Sequence, residues 1–185
     1  MTLAVFCGSS TGNKIEYEKA TKSFGKYLAL NNIDVVYGGG KVGLMGILAD
    51  TVLEHGGKVC GVIPEKLKDK ELAHTELTKL IIVKDMHERK ATMAELSDAF
   101  VALPGGAGTL EEIFEVWTWA QLGFHNKPCA FYNTDGFYNK LIDMLYSMSD
   151  EGFLKKEYVD MLINTDNEEE LISSLKNYKA PKEKW

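Results

Sequence analysis

With 185 residues, 45% hydrophobic and 26% charged, the sequence has room for a layered core and the make-up of an ordered protein, not a disordered one. Its formal net charge of −6 would repel a long phosphate backbone, so bulk DNA or RNA is excluded as an expected partner, while a local phosphate pocket stays open. Cys7, Cys60 and Cys129 stand far apart in apolar runs and the four histidines are as scattered, so neither a disulfide set nor a metal centre is expected.

The first residues, Met1–Phe6, lack the basic start and long apolar stretch of a signal peptide. No apolar run approaches the ~20 residues of a membrane span, so no membrane partner is expected and the cytoplasm is the expected location.

In chain order, short apolar runs predict strands at 3–7, 34–37, 58–63, 79–83, 99–103 and 128–132, with a weaker one near 161–164. Helical patterns fall between them, at 14–30, 44–55, 85–96, 110–122, 137–149 and 168–178. The strand runs carry little polar alternation, as when helices cover both faces. Strand and helix in alternation predict a single α/β domain over residues 1–180, a Rossmann-like, doubly wound parallel sheet with helices on both faces. Residues 181–185 are expected to form a frayed tail.

In such a sheet, ligands bind beyond the carboxyl ends of the strands, and this chain sets glycine-rich turns there. They are Gly8-Ser9-Ser10-Thr11-Gly12-Asn13, Gly38-Gly39-Gly40-Lys41-Val42-Gly43-Leu44-Met45-Gly46 and Pro104-Gly105-Gly106-Ala107-Gly108-Thr109. The second matches the letters of a dinucleotide fingerprint but lies on the second strand, and no Gly-Lys-Ser/Thr supports a P-loop. The third is the most informative. Proline ends a strand, two glycines free the backbone, and the first turn of the following helix offers unpaired amides and a positive dipole end to an anion.

Two residue types near these turns have competing readings. Thr109-Leu110-Glu111-Glu112 spells a capping box, in which Glu112 bonds back to the Thr109 amide. Glu112 could instead face the ribose of a bound nucleotide and stabilise positive charge developing on the ring. On the 85–96 helix, Met86, Met93 and Leu96 form an apolar stripe, with Arg89 inside its angular range and Lys90 at its border. An inward Arg89 needs a carboxylate or phosphate partner, whereas Lys90 could simply snorkel to the rim. Trp117 and Trp119 read equally as core or as subunit interface.

Taken together, these motifs resemble the LONELY GUY family of cytokinin-activating phosphoribohydrolases, once widely mislabelled lysine decarboxylases. The shared pattern runs from Gly8-Ser9-Ser10 through Gly38-Gly39-Gly40-x-x-Gly43-Leu44-Met45-Gly46 and Asp85-Met86-His87-x-Arg89-Lys90. It continues through Pro104-Gly105-Gly106-x-Gly108-Thr109-x-x-Glu112 and Thr118-Trp119-Ala120-Gln121-Leu122-Gly123, spanning about residues 3 to 150. The family often has an aromatic residue where this chain has Ala107.

The resemblance implies cleavage of the N-glycosidic bond of AMP and N6-substituted adenosine 5′-monophosphates, giving free base and ribose 5-phosphate. It implies Arg89 and Glu112 as the catalytic pair, and Gly106, Gly108 and Thr109 at the phosphate with Lys90 close by. Glu71 and Thr118 match further substrate-contacting positions, and Ser9, Gly40, Met86 and Gly105 join the expected substrate-binding set. It further implies a homodimer, and no metal or cofactor. A non-catalytic nucleotide carrier would use the same glycines, and a ribosyl transferase of the same fold would differ only in its acceptor.

Overall fold

A computed structural model describes residues 1–68 and 72–182. Seven strands, β1 (Thr2–Phe6), β2 (Asp34–Tyr37), β3 (Val59–Pro64), β4 (Lys79–Val83), β5 (Ala99–Ala102), β6 (Cys129–Tyr132) and β7 (Ile163–Thr165), form one sheet. Their order is β4-β3-β2-β1-β5-β6-β7 and every pairing is parallel. The order reverses between β1 and β5, so the crevice that such sheets offer to ligands opens above the ends of those two strands.

Each interior strand has apolar residues on both faces. Leu3, Val5, Val35, Val101 and Tyr132 face one core, with Phe24, Leu28, Leu48 and Leu171 from the helices α1 (Ile15–Leu30), α2 (Gly43–Glu54) and α7 (Glu168–Lys176). Ala4, Phe6, Phe100 and Phe131 face the other, with Met93, Ile113, Trp117, Leu145 and Tyr158. Those five come from α3 (Met86–Glu95), α4 (Ala107–Gln121), α5 (Asn139–Asp150) and α6 (Lys156–Asp160). The edge strand β4 departs from the expected double burial, with Ile82 exposed. No described helix is long and apolar enough to cross a membrane.

Helix starts show where local chemistry agrees with the fold. Asp85 caps α3 by accepting from the Glu88 amide at 3.0 Å, while Glu88 accepts from the Lys84 amide at 2.7 Å. Asn167 caps α7 in the same way, accepting from the Glu170 amide at 2.9 Å. α4 differs from its sequence-based expectation. It starts at Ala107, three residues earlier, with Gly106 as an extended N-cap that offers no side chain. Thr109 therefore lies inside the first helical turn, and the capping box with Thr109 at its head does not form. Tertiary packing decides this: Thr109 is buried against Gly105, where a Cβ would stand 2.1 Å from its hydroxyl oxygen.

The expected apolar stripe on α3 also shifts. Met86 and Leu96 are exposed, and the buried face is Arg89, Lys90, Met93 and Ala94. Two polar side chains thus replace the apolar ends of the stripe. Of the expected tail, residues 183–185 lie outside the described residues.

Candidate functional site

Three turns converge above β1 and β5. The Gly8 amide donates to the Pro104 carbonyl at 3.1 Å, and the Leu44 amide donates to the Gly8 carbonyl at 3.0 Å. Gly43 (φ 57°) lets the start of α2 come close to the first turn; a Cβ there would meet the Ser9 carbonyl carbon at 2.3 Å.

The triple glycine after β2 presents three successive carbonyls, each with a donor. Gly38 accepts from Arg89 Nη2 at 2.8 Å, Gly39 from the His74 amide at 2.9 Å, and Gly40 from the Tyr37 hydroxyl at 3.1 Å. Arg89 Nε also donates to the Val62 carbonyl at 3.1 Å, and Nη1 lies 3.7 Å from the Met86 sulfur. Only 4% of Arg89 is exposed. The guanidinium is therefore fixed by backbone of β3 and of the Gly38 turn, with its rigid fork matched to two carbonyls.

Arg89 and Glu112 line one polar cleft of about 230 Å³ with Cys7, Gly8, Ser9, Met45 and the turn from Gly106 to Thr109. Cys7 lies under both charges. Burial chiefly, and the Glu112 carboxylate next, push its thiol well above the ordinary range while Arg89 pulls the other way, so Cys7 is a neutral floor. A second, more apolar cleft lined by Tyr17, Leu44 and Phe137 shares Gly8, Ser9 and Gly106 with the first.

The glycines of the α4 turn serve two purposes. Gly105 is needed for packing against Thr109, as described above. Gly106 and Gly108 are not, because a Cβ on either would meet nothing within 4 Å. They hold open the space in front of the helix N-terminus, where unpaired amides and the positive dipole end can receive an anion.

The structure separates the remaining expected site residues. Ser9 and Gly105 stand at the convergence of the turns, and Gly40 is buried in the second turn, bridged to Ala73. Met86 touches Arg89 from the first turn of α3. Lys90 does not line the cleft. Its ammonium is held by Glu111 and, at 2.9 Å, by Glu115, tying α3 to α4. Burial opposes its charge, but its pairing with the Glu111 and Glu115 carboxylates outweighs that and raises its pKa. Thr118 is exposed, with its hydroxyl bonded to the Phe114 carbonyl at 2.7 Å on its own helix. Glu71 lies outside the described residues.

Trp117 resolves as core, with its indole N–H donating to the Tyr158 carbonyl at 3.0 Å, while Trp119 is half-buried beside the same cluster. Sequence reasoning missed Cys7 and Met45 in the cleft wall, and His74 behind the second turn. Met45 lies inside the second glycine-rich motif, which could have marked it, whereas nothing local marks Cys7 or His74. No described cluster of three or more His, Cys, Asp or Glu is arranged to hold a metal ion.

The fold is shared widely. TM1055, solved by X-ray crystallography, superposes with a TM-score of 0.72 at 22% identity, covering 95% of this chain and 98% of its own. The molybdenum cofactor carrier protein of Chlamydomonas reinhardtii gives 0.72 at 18% identity, with 95% and 96% covered. At these identities the likeness concerns architecture alone.

Closer relatives appear in sequence. Residues 45–175 match the family model described as possible lysine decarboxylase. The cytokinin riboside 5′-monophosphate phosphoribohydrolase LOG1 of Arabidopsis thaliana is 45% identical over 182 residues, covering 98% of this chain and 85% of its own. LOG4 of the same plant is 47% identical over 176 residues, with 95% and 82% covered. A probable enzyme of this kind from rice, LOGL2, is 46% identical over 182 residues, with 98% and 75% covered. With 45–47% identity to these enzymes over almost its whole length, the chain belongs to the LOG family.

Proposed function

We propose that this protein is a nucleoside 5′-monophosphate phosphoribohydrolase acting on cytokinin riboside monophosphates and on AMP. The observation that carries the reading is one cleft in which a fixed guanidinium, a carboxylate and a glycine-opened helix N-terminus meet. The near full-length likeness to the plant LOG enzymes supports the same chemistry.

In this reading the phosphate sits on the amides of the α4 turn at Gly106, Gly108 and Thr109, with Ser9 and Gly105 shaping the adjoining wall. Anchoring the phosphate positions the ribose C1′ against Glu112, so a remote group assists the chemistry. Glu112 holds the ribose hydroxyls and offsets the positive charge of an oxocarbenium-like state. Arg89, in the same cleft, steadies the ribose phosphate. The bond from C1′ to the base nitrogen breaks with its electron pair leaving on the base. A water oxygen bonds to C1′, and its proton balances the departing base. Lys90 contributes by holding α3 against α4, which keeps Arg89 and Glu112 on facing walls.

The carrier alternative loses the local feature that suited it best, because Thr109 lies inside the first turn of α4 and does not head a capping box. A homodimer and a cytoplasmic setting complete the proposal. The exposed Phe124 beyond α4 offers apolar surface for a second subunit, and the three free thiols suit a reducing compartment.

The test is release of free base from AMP and from isopentenyladenosine monophosphate by the purified protein and by Glu112→Gln. Release that vanishes in the variant while nucleotide binding persists supports the hydrolase. Binding without release in the wild type turns the assignment to a carrier. A new nucleotide in place of ribose 5-phosphate, when a second base is supplied, turns it to a transferase.

A further inference from the structure

Behind the Gly38 turn lies a pair that the proposed reaction does not use. His74 is fully buried, and its Nε2 stands 2.8 Å from Asp50 Oδ1 on α2, a side chain 46% exposed. The Glu76 amide points at Nδ1 from 3.2 Å. An amide N–H can only donate, so Nδ1 is the acceptor and the ring proton sits on Nε2, directed at the carboxylate. Both ring nitrogens are thus committed, and the imidazole has one orientation.

That orientation matters because of what residues 72–74 do. The His74 amide donates to the Gly39 carbonyl at 2.9 Å, the Lys41 amide donates to the Leu72 carbonyl at 2.9 Å, and Gly40 bridges Ala73. The segment is a strap across the glycine turn. Leu72 sits in the left-handed region at φ 48°, a conformation that costs a leucine about 1 kcal/mol or more and persists only where neighbours impose it. The next carbonyl back from Gly39 is that of Gly38, which holds Arg89.

We infer that Asp50 and His74 are positioning residues: the Asp50–His74 hydrogen bond locks the strap, the strap fixes the Gly38–Lys41 turn, and the turn aims the Arg89 guanidinium at the cleft. The inference rests on the catalytic reading of Arg89 given above. Turns of consecutive glycines are soft because they lack side chains to pack, so a site that depends on one needs such an outside fastening.

Asp50 is the practical handle, since it is half-exposed on a helix and Ala is well tolerated there. Asp50→Ala is expected to lower kcat for base release about tenfold with KM changed less than about twofold. Asp50→Asn, whose amide oxygen still accepts from Nε2, is expected to restore most of that rate. Amide hydrogen exchange at Lys41 and His74 is expected to quicken about tenfold or more in Asp50→Ala and little in Asp50→Asn. Unchanged exchange and turnover in Asp50→Ala, beside an inactive Arg89→Ala, would overturn the inference. Equal losses in the Ala and Asn variants would overturn it too, since charge and not the hydrogen bond would then matter. Base release that survives Arg89→Ala would instead sink the catalytic reading, and the exchange rates would still decide whether the strap is locked.

Discussion

A Cβ on Gly38 would stand 2.0 Å from a terminal nitrogen of Arg89, a residue fifty-one positions along the chain. The guanidinium occupies the space that the missing side chain leaves. Gly38 and Arg89 are therefore one structural unit, an inward cation and the notch cut for it. Gly38→Ala is expected to displace the guanidinium and reduce base release about a hundredfold or more, with the fold retained in far-ultraviolet circular dichroism. Arg89→Lys should fare no better, because an ammonium lacks the planar fork that reaches both Gly38 and Val62. Near wild-type turnover in Gly38→Ala would show that Arg89 need not occupy that notch.

Gly108 offers a sharper separation of stability from binding. A Cβ there meets nothing, so Gly108→Ala should leave the fold intact and stabilise α4 by up to about 1 kcal/mol through helix propensity. The same methyl would project into the proposed phosphate space and weaken AMP binding about tenfold or more. Calorimetry and thermal melting on one sample decide it. Unweakened binding would place the phosphate elsewhere.

Lys90 is expected to act through stability. Lys90→Ala removes a buried stem and leaves Glu115, itself 27% exposed, without its cation, at a cost of about 2–3 kcal/mol. Glu111 is 55% exposed, and its share of the pair is screened by water, so Glu111→Ala should cost less than about 1 kcal/mol. Urea denaturation of the two variants gives both values. Equal costs would mean that Lys90 is not the anchor between the helices.

The pH dependence of stability should carry a signature of His125. Burial holds its pKa below the ordinary 6.5, with a backbone hydrogen bond to Val116 acting in the opposite direction and the Lys127 ammonium reinforcing the depression. The unfolded chain then binds the proton more readily than the folded one. Stability from this group is complete above about pH 6.5 and is lost as pH falls through the lower folded value. His125→Phe keeps a ring beside Phe100, which lies 5.2 Å from the imidazole, and cannot titrate. Between about pH 8 and pH 5 the wild type should lose more stability than this variant. Parallel losses would assign the acid sensitivity to other groups.

Much of the architecture was legible in the chain. Seven apolar runs and six longer helical patterns marked the elements within a few residues, because burial on both faces and helix periodicity are local properties. The short helix at Lys156–Asp160 escaped, being too brief to show a period. Position 109 shows the limit of local reading. A threonine followed three residues later by a glutamate is a sound cap by chemistry, yet contact with Gly105 draws Thr109 into the helix and hands the cap to Gly106.

What the sequence alone determined is the alternating α/β order, the three glycine turns at one end of the sheet and the motif set that marks the family. What only the tertiary structure decided is which residues those turns serve. Gly38 receives Arg89, Gly39 receives the strap at His74, Gly105 admits Thr109, and Lys90 turns to Glu111 and Glu115 and away from the cleft. The physical reason is reach. Periodicity and turn chemistry act over a few residues, whereas these contacts join segments brought together by the strand order β3-β2-β1-β5.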